Sequence, residues 1–259
     1  MLRAPVRLSA STFEVLWQWM RLGDLPAPLF VPAVGATVEE RQAVERAARD
    51  ELIRLKLVDG DELADDLTLA LQLLARPTSE FYGWLVRPDN SVVSALVATH
   101  ADKAVLAILK GDRVRLSGVP ATDPAQRLVD LVPWVPPVRP ARSITVPADR
   151  FYFGARGDEV DLRVLEDNTR SSGDAEVVKL RALVAEPSTG RGQLFTATRD
   201  HLGRRHKSTE PIYYLDTGQG RWLLHTTARR GGAPWLTAAP GSPDALVRAL
   251  YDSNRQLTA

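Results

Sequence analysis

With 259 residues the chain has room for one large or two small domains, and 44% hydrophobic with 25% charged residues is ordinary globular composition, enough for a substantial core. Lys plus Arg (33) nearly balances Asp plus Glu (32), and a formal charge of +1 argues against a dedicated nucleic-acid binder. Zero cysteines exclude disulfides, thiolate metal sites and cysteine nucleophiles. The opening MLRAPVRLSAS has no apolar stretch before a small-residue cleavage site, so no signal peptide is expected. No segment approaches the roughly 18 consecutive apolar residues of a membrane span. These features together point to a soluble, cytoplasmic protein.

Residues 6–9 (VRLS) read as a short strand running into a helix, with Ser11 and Glu14 at capping-box spacing. Phe13, Leu16, Trp17 and Met20 follow at helical spacing, and Gly23 with Pro26 ends the run. A second capping box, Thr37 with Glu40, opens a long helix to about Leu57, with Val44, Ala47, Ala48, Leu52 and Leu55 on its apolar stripe. A third helix is expected over 62–75, and Pro77 stops it.

The hydrophobic period then changes from helical to alternating. Residues 79–86, 91–100, 104–110 and 113–118 are short, rich in β-branched and aromatic residues, and separated by tight-turn signals, which predicts a four-stranded antiparallel meander. Asp123-Pro124 starts a short helix, broken by the proline-rich stretch 133–140. The order then recurs. There is a strand at 143–146, a helix start at 149–152, a helix at 175–185, strands at 192–200, 212–216, 221–227 and 234–239, and a final helix from Ser242-Pro243 to about Gln256. The chain thus reads as one α+β unit of two similar halves, about 6–132 and 141–257, joined by the 133–140 connector. Pairing the halves around a pseudo-two-fold axis is preferred to two separable domains, because each half has few strands and would leave a sheet edge exposed.

Catalytic chemistry finds little foothold. There is no G-x-S-x-G elbow, no H-E-x-x-H, no calcium-loop spacing and no phosphate-binding glycine loop, so no metal or cofactor is expected. Of the four histidines, His201 and His206 flank a basic hairpin, His100 ends a strand, and His225 alternates against Trp222 and Leu224. A cleft lined by Arg191, Asp200, Asp216 and Arg221 is the alternative, as a small-ligand site or an enzyme, provided these four side chains converge. The remaining signal is surface for a protein partner. Phe81, Trp84, Phe195, Tyr213, Tyr214 and Trp222 lie on predicted strands, where core packing accounts for each as well as partner binding does. Phe151, Tyr152 and Phe153 are consecutive and cannot all point inward, and the charged stretch after them carries Leu162 and Leu165.

These segments together resemble the EspG proteins, secretion-associated chaperones of actinobacterial type VII (ESX) systems. The N-terminal part of the resemblance is RLSASTFEVLWQWMRLGDLPAPL with the helical run from Gly35 to Pro77. The C-terminal part is SITVPA and the R-G-Q…R-D-x-x-G-R-R…D-T…G-R-W run at Arg191–Trp222. The resemblance covers about residues 6–255. It implies a non-enzymatic cytosolic protein with a central antiparallel sheet, N- and C-terminal helical bundles and quasi-two-fold symmetry. The implied partners are PE–PPE-like or WXG-like helical secretion substrates, held by the apolar tip of a helical hairpin, kept soluble and directed to one secretion system. It places partner contacts on the sheet, on the loop between the first two meander strands, here Arg87, Pro88, Asp89 and Asn90, and on the C-terminal helices, here 149–185 with 242–256. The Arg87–Asn90 loop is short for the family and lacks an apolar anchor. The R-G-Q and D-T motifs are read as defining strand starts and turns, and so as structural and not as contacts. A homodimer through an exposed sheet edge stays open.

Overall fold

The computed structural model describes residues 1–60, 62–139, 142–148, 151, 175–227 and 234–258. Strand β1 (Val6–Ser9) passes without a linker into α1 (Ala10–Trp19). The cap of α1 is Ser9 and not the expected Ser11–Glu14 pair. Ser9 is still extended (φ −63°, ψ 150°), and its Oγ accepts from the Thr12 amide at 3.1 Å. That frees Glu14 to reach across to α2 (Val38–Arg54), where it meets Arg41 at 2.7 Å. The Thr37–Glu40 capping box forms as read, each side chain accepting from the other's amide at 3.2 Å. The helix stops short of Leu57 because Lys56 turns left-handed (φ 57°). A two-residue hairpin, β2 (Val58–Asp59) with β3 (Glu62–Leu63), then precedes α3 (Asp65–Ala75).

The buried stripe of α2 also differs from its apolar pattern. Leu55 is exposed, whereas Glu51 is buried beside Ala48 and Leu52. Its carboxylate accepts from the Thr12 hydroxyl (2.6 Å), the Ser9 hydroxyl (2.7 Å) and the Ser9 amide (3.1 Å), which ties α2 to the β1–α1 junction. Burial pushes the Glu51 carboxyl up, but these hydrogen bonds and the nearby Arg113 outweigh it and hold the group below its ordinary value. A carboxyl depressed on folding contributes stability that is complete above its unfolded value, near 4.5, and is lost as pH falls through the folded value. Denaturant midpoints measured from pH 6 downward should therefore fall more steeply for the wild type than for Glu51→Gln, with the two curves converging in acid.

The first meander is β4 (Ser79–Val86), β5 (Val92–His100), β6 (Lys103–Lys110) and β7 (Arg113–Pro120), followed by α4 (Pro124–Val129). Beyond the connector come β8 (Ile144–Pro147), α5 (Ala175–Val184), β9 (Ser188–Arg199), β10 (Arg205–Lys207), β11 (Ile212–Thr217), β12 (Gly220–Thr227), β13 (Trp235–Pro240) and α6 (Pro243–Gln256). The strands form one antiparallel sheet in the order β1-β7-β6-β5-β4-β9-β11-β12-β13-β8, with β10 hydrogen-bonded to β9. The first strands of the two meanders meet at the centre, from Ser79 opposite Thr198 to Val86 opposite Arg191. Each outer edge is a four-residue strand, β1 or β8, short enough to offer little template for a further strand.

Gly83 sits on the central seam, opposite Leu194, where a Cβ would lie 2.2 Å from the Gln193 carbonyl oxygen. Backbone cannot yield as a flexible side chain would. Gly83→Ala should cost about 3 kcal/mol, read as a lowered midpoint in urea at unchanged slope.

Strand alternation divides the core in two. On one face, Tyr82, Leu96, Val105 and Val114 pack under Phe13, Trp17, Leu52 and Leu71 from α1, α2 and α3. Further along the same face, Tyr213, Trp222 and Leu224 pack with Val177, Leu180 and Leu183 of α5. The opposite face carries Phe81, Leu85, Val97, Ile212, Tyr214 and Leu223 beneath Leu128 of α4 and Leu246 and Leu250 of α6.

Candidate partner-binding surface

The Arg191–Trp222 run is built around a buried ion pair. Asp216 and Arg221 face each other across β11 and β12, and the guanidinium donates to both carboxylate oxygens at 2.6 and 2.8 Å with each side chain almost wholly buried. The arginine also lies 4.7 Å from the centre of the Tyr214 ring. Gly192 makes room for that ring, since a Cβ there would come within 2.3 Å of it. Arg221 then fixes the connector. Its Nη2 donates to the Pro133 carbonyl (2.6 Å), its amide donates to Pro136 (2.8 Å), and its carbonyl accepts from Val138 (3.2 Å) and Gly241 (2.9 Å). The Asp216–Arg221 pair of this run thus ties β11, β12 and the connector together.

The four polar residues of the alternative cleft do not converge. Arg191 is paired with Leu215 and Val86 and points to the α5 side of the sheet, whereas Asp216 and Arg221 point to the α6 side. Asp200 lies beyond the far end of β9, roughly 30 Å along the strand at 3.3 Å per residue. There it pairs with Arg204 (2.8 Å) and His206 (3.0 Å). The His206 hydrogen bond is the main cause that holds its carboxyl well below the usual range. A shared ligand pocket for these residues is overturned, because alternation sends them to opposite faces and opposite ends. Among the described residues no group of three or more His, Cys, Asp or Glu side chains could hold a metal ion, and no helix is long and apolar enough to cross a membrane.

The expected partner residues are dispersed. Arg87–Asn90 forms a tight turn at one end of the sheet, with Asp89 accepting from the Ser91 amide (2.9 Å) and hydroxyl (2.6 Å), and Asn90 left-handed (φ 59°). Pro88, Asp89 and Asn90 are exposed, while Arg87 is half-buried and reaches the Leu131 carbonyl at 3.5 Å. Phe195 is half-buried at the sheet centre, stacked on Tyr82 (5.5 Å between ring centres) and edge-on to Trp84 (5.8 Å). Tyr213, Trp222 and Phe151 are buried in the cluster under α5, so these three rings serve packing in this state. Tyr152, Phe153, Leu162 and Leu165 lie outside the described residues.

A feature absent from the sequence reading is a groove of about 1190 Å³ between α6 and strands β11–β13, on the face opposite α5. Its floor is Ile212, Leu223 and Ala239, and its helical wall carries Ala245 and Ala249 one turn apart. Small residues at that spacing allow another backbone to approach closely. Glu210, Arg248 and Asp252 supply a polar rim. His225 lines the groove with its Nδ1 buried and unpartnered among the described residues. Burial lowers its pKa while Asp252 opposes the shift, so the ring is neutral at pH 7. An apolar floor with a polar rim suits an amphipathic helical segment better than it suits chemistry. The alternation of His225 against Leu224 was the visible clue, but the helix that completes the groove follows a separate strand.

The structure of the Mycobacterium tuberculosis type VII secretion system chaperone EspG5 in complex with a PE25–PPE41 dimer superposes with a TM-score of 0.67, covering 97% of each chain at 17% sequence identity. The EspG family model matches residues 9–252, and the chain belongs to the EspG family. No curated protein sequence matches the chain.

Proposed function

We propose that this chain is a cytosolic, non-enzymatic chaperone of a type VII (ESX) secretion system that binds the apolar tip of helical PE–PPE-like or WXG-like substrates, keeps them soluble and sets system specificity. The observation that carries this reading is family membership over residues 9–252. The groove beside α6 supports it as a docking site for an apolar helical segment. Burying an apolar patch of several hundred Å² removes the surface through which a free substrate would aggregate. The half-exposed Phe195–Trp84 cluster and the Arg87–Asn90 turn are further contacts in this reading. The chain acts as one unit of two related halves with helical bundles beside a shared sheet, a view supported by the central β4–β9 pairing and by the matching edge strands β1 and β8.

The test is client solubility. A helical PE–PPE-like pair encoded beside this gene should stay in the soluble fraction when co-expressed with the chain and sediment without it. Equal solubility with and without the chain would overturn the proposal.

A further inference from the structure

Trp134 is 79% exposed, the most exposed large hydrophobic residue described, yet it does not sit on a loose loop. The carbonyl of Pro133, immediately before it, is held by the buried Arg221 guanidinium. Pro136 and Val138, after it, are hydrogen-bonded to the Arg221 backbone. Prolines at 133, 136 and 137 restrict the chain further. A large ring on a backbone clamped from both sides loses little entropy on contact, which is the property of a binding anchor. The clamp also sets its position. The Arg221 carbonyl accepts from both Val138 and Gly241, so the connector lies beside the Pro240 end of the α6 groove.

The charges around the connector select the partner. Among the described residues near the connector, Asp216 is paired with Arg221, Asp130 with Arg127 and Gln126, and Asp89 with Ser91. Two cations there carry donors that these pairs leave over. Arg87 donates to the Leu131 carbonyl through Nη2 and keeps its Nε without a partner, and Arg139 is exposed with no partner among the described residues. The last turn of a helix presents the complementary chemistry, with free carbonyl oxygens and about half a negative charge.

We propose that Trp134 is the anchor on which the C-terminal turn of one helix of the client's hairpin docks, with Arg139 and Arg87 facing its free carbonyls while the hairpin tip enters the groove. This rests on the chaperone reading above. The test is the affinity of the full chain for the PE–PPE-like pair encoded beside its gene, by calorimetry. Trp134→Ala should bind roughly 30-fold more weakly and Arg139→Glu several-fold more weakly. The melting temperature of Trp134→Ala should be unchanged, because the ring is solvated. Wild-type affinity in Trp134→Ala would overturn the anchor and leave the chaperone reading intact. A wild-type chain that binds no such pair would overturn both. A self-associated wild type that becomes monomeric on Trp134→Ala, with client binding unaltered, would assign the ring to a contact between copies and also overturn the proposal.

Discussion

Asp216→Ala lowers the unfolding free energy by about 3–5 kcal/mol, the largest stability loss expected from one side chain here. The carboxylate neutralises a guanidinium that is 1% exposed, so its removal strands a buried charge that water cannot reach. The damage should spread along a definite path. Arg221 orients the Pro133 carbonyl, packs on Tyr214 and adjoins Gly241, so losing its partner loosens the connector and the start of α6 together. Replacing both members with apolar side chains should recover part of the loss, since a buried ion pair contributes little over well-packed hydrophobic residues. Guanidinium denaturation checks both variants. A loss below about 1 kcal/mol for Asp216→Ala would show that the pair does not organise this region.

The second large effect concerns binding. Ala249→Trp should reduce client affinity by about 100-fold. Ala249 is half-buried on the wall of the α6 groove, one turn from Ala245. An indole there occupies the space that a docked helix needs; Ala249 itself packs against the cluster that holds Leu246 and Leu250, so the fold of the variant is read beside its affinity. Titration of labelled client against the variant reads the affinity, and a thermal melt reads the fold. Full affinity with an unchanged melt would remove the groove from the docking surface and leave the rest of the molecule for that role.

Most elements were legible because they obey local rules. The strands of both meanders alternate with period two, and the turns between them carry left-handed residues such as Asn90 and Gly111. Thr37 and Glu40 cap α2 from three residues' separation, which is information contained in a short window. Failures fall where a distant partner decides. Ser9 outcompeted Ser11 as a cap because β1, held by β7, delivers it already extended. Glu51 displaced Leu55 from the buried stripe because Ser9 and Thr12 stand opposite it. Arg191 and Asp216 belong to one recognisable run, but only the register of β9 on β11 sends them to opposite faces. Tyr213 and Trp222 could equally have been core or surface until α5 was seen to cover them. The groove and the clamped connector were invisible for the same reason, since each joins segments far apart in the chain. Pro133–Pro140 reads as a boundary, whereas in the fold Arg221 makes much of it part of the sheet's rim.

In the proposed role this chain holds a helical secretion substrate in a defined complex. The mass of the species that co-purifies when the chain is co-expressed with a PE–PPE-like pair encoded beside its gene tests it most directly. A stable assembly with one copy of each component, lost on Ala249→Trp, is the predicted result. The chain eluting alone at 28.5 kDa, with its candidate clients equally soluble without it, would rule out the chaperone role.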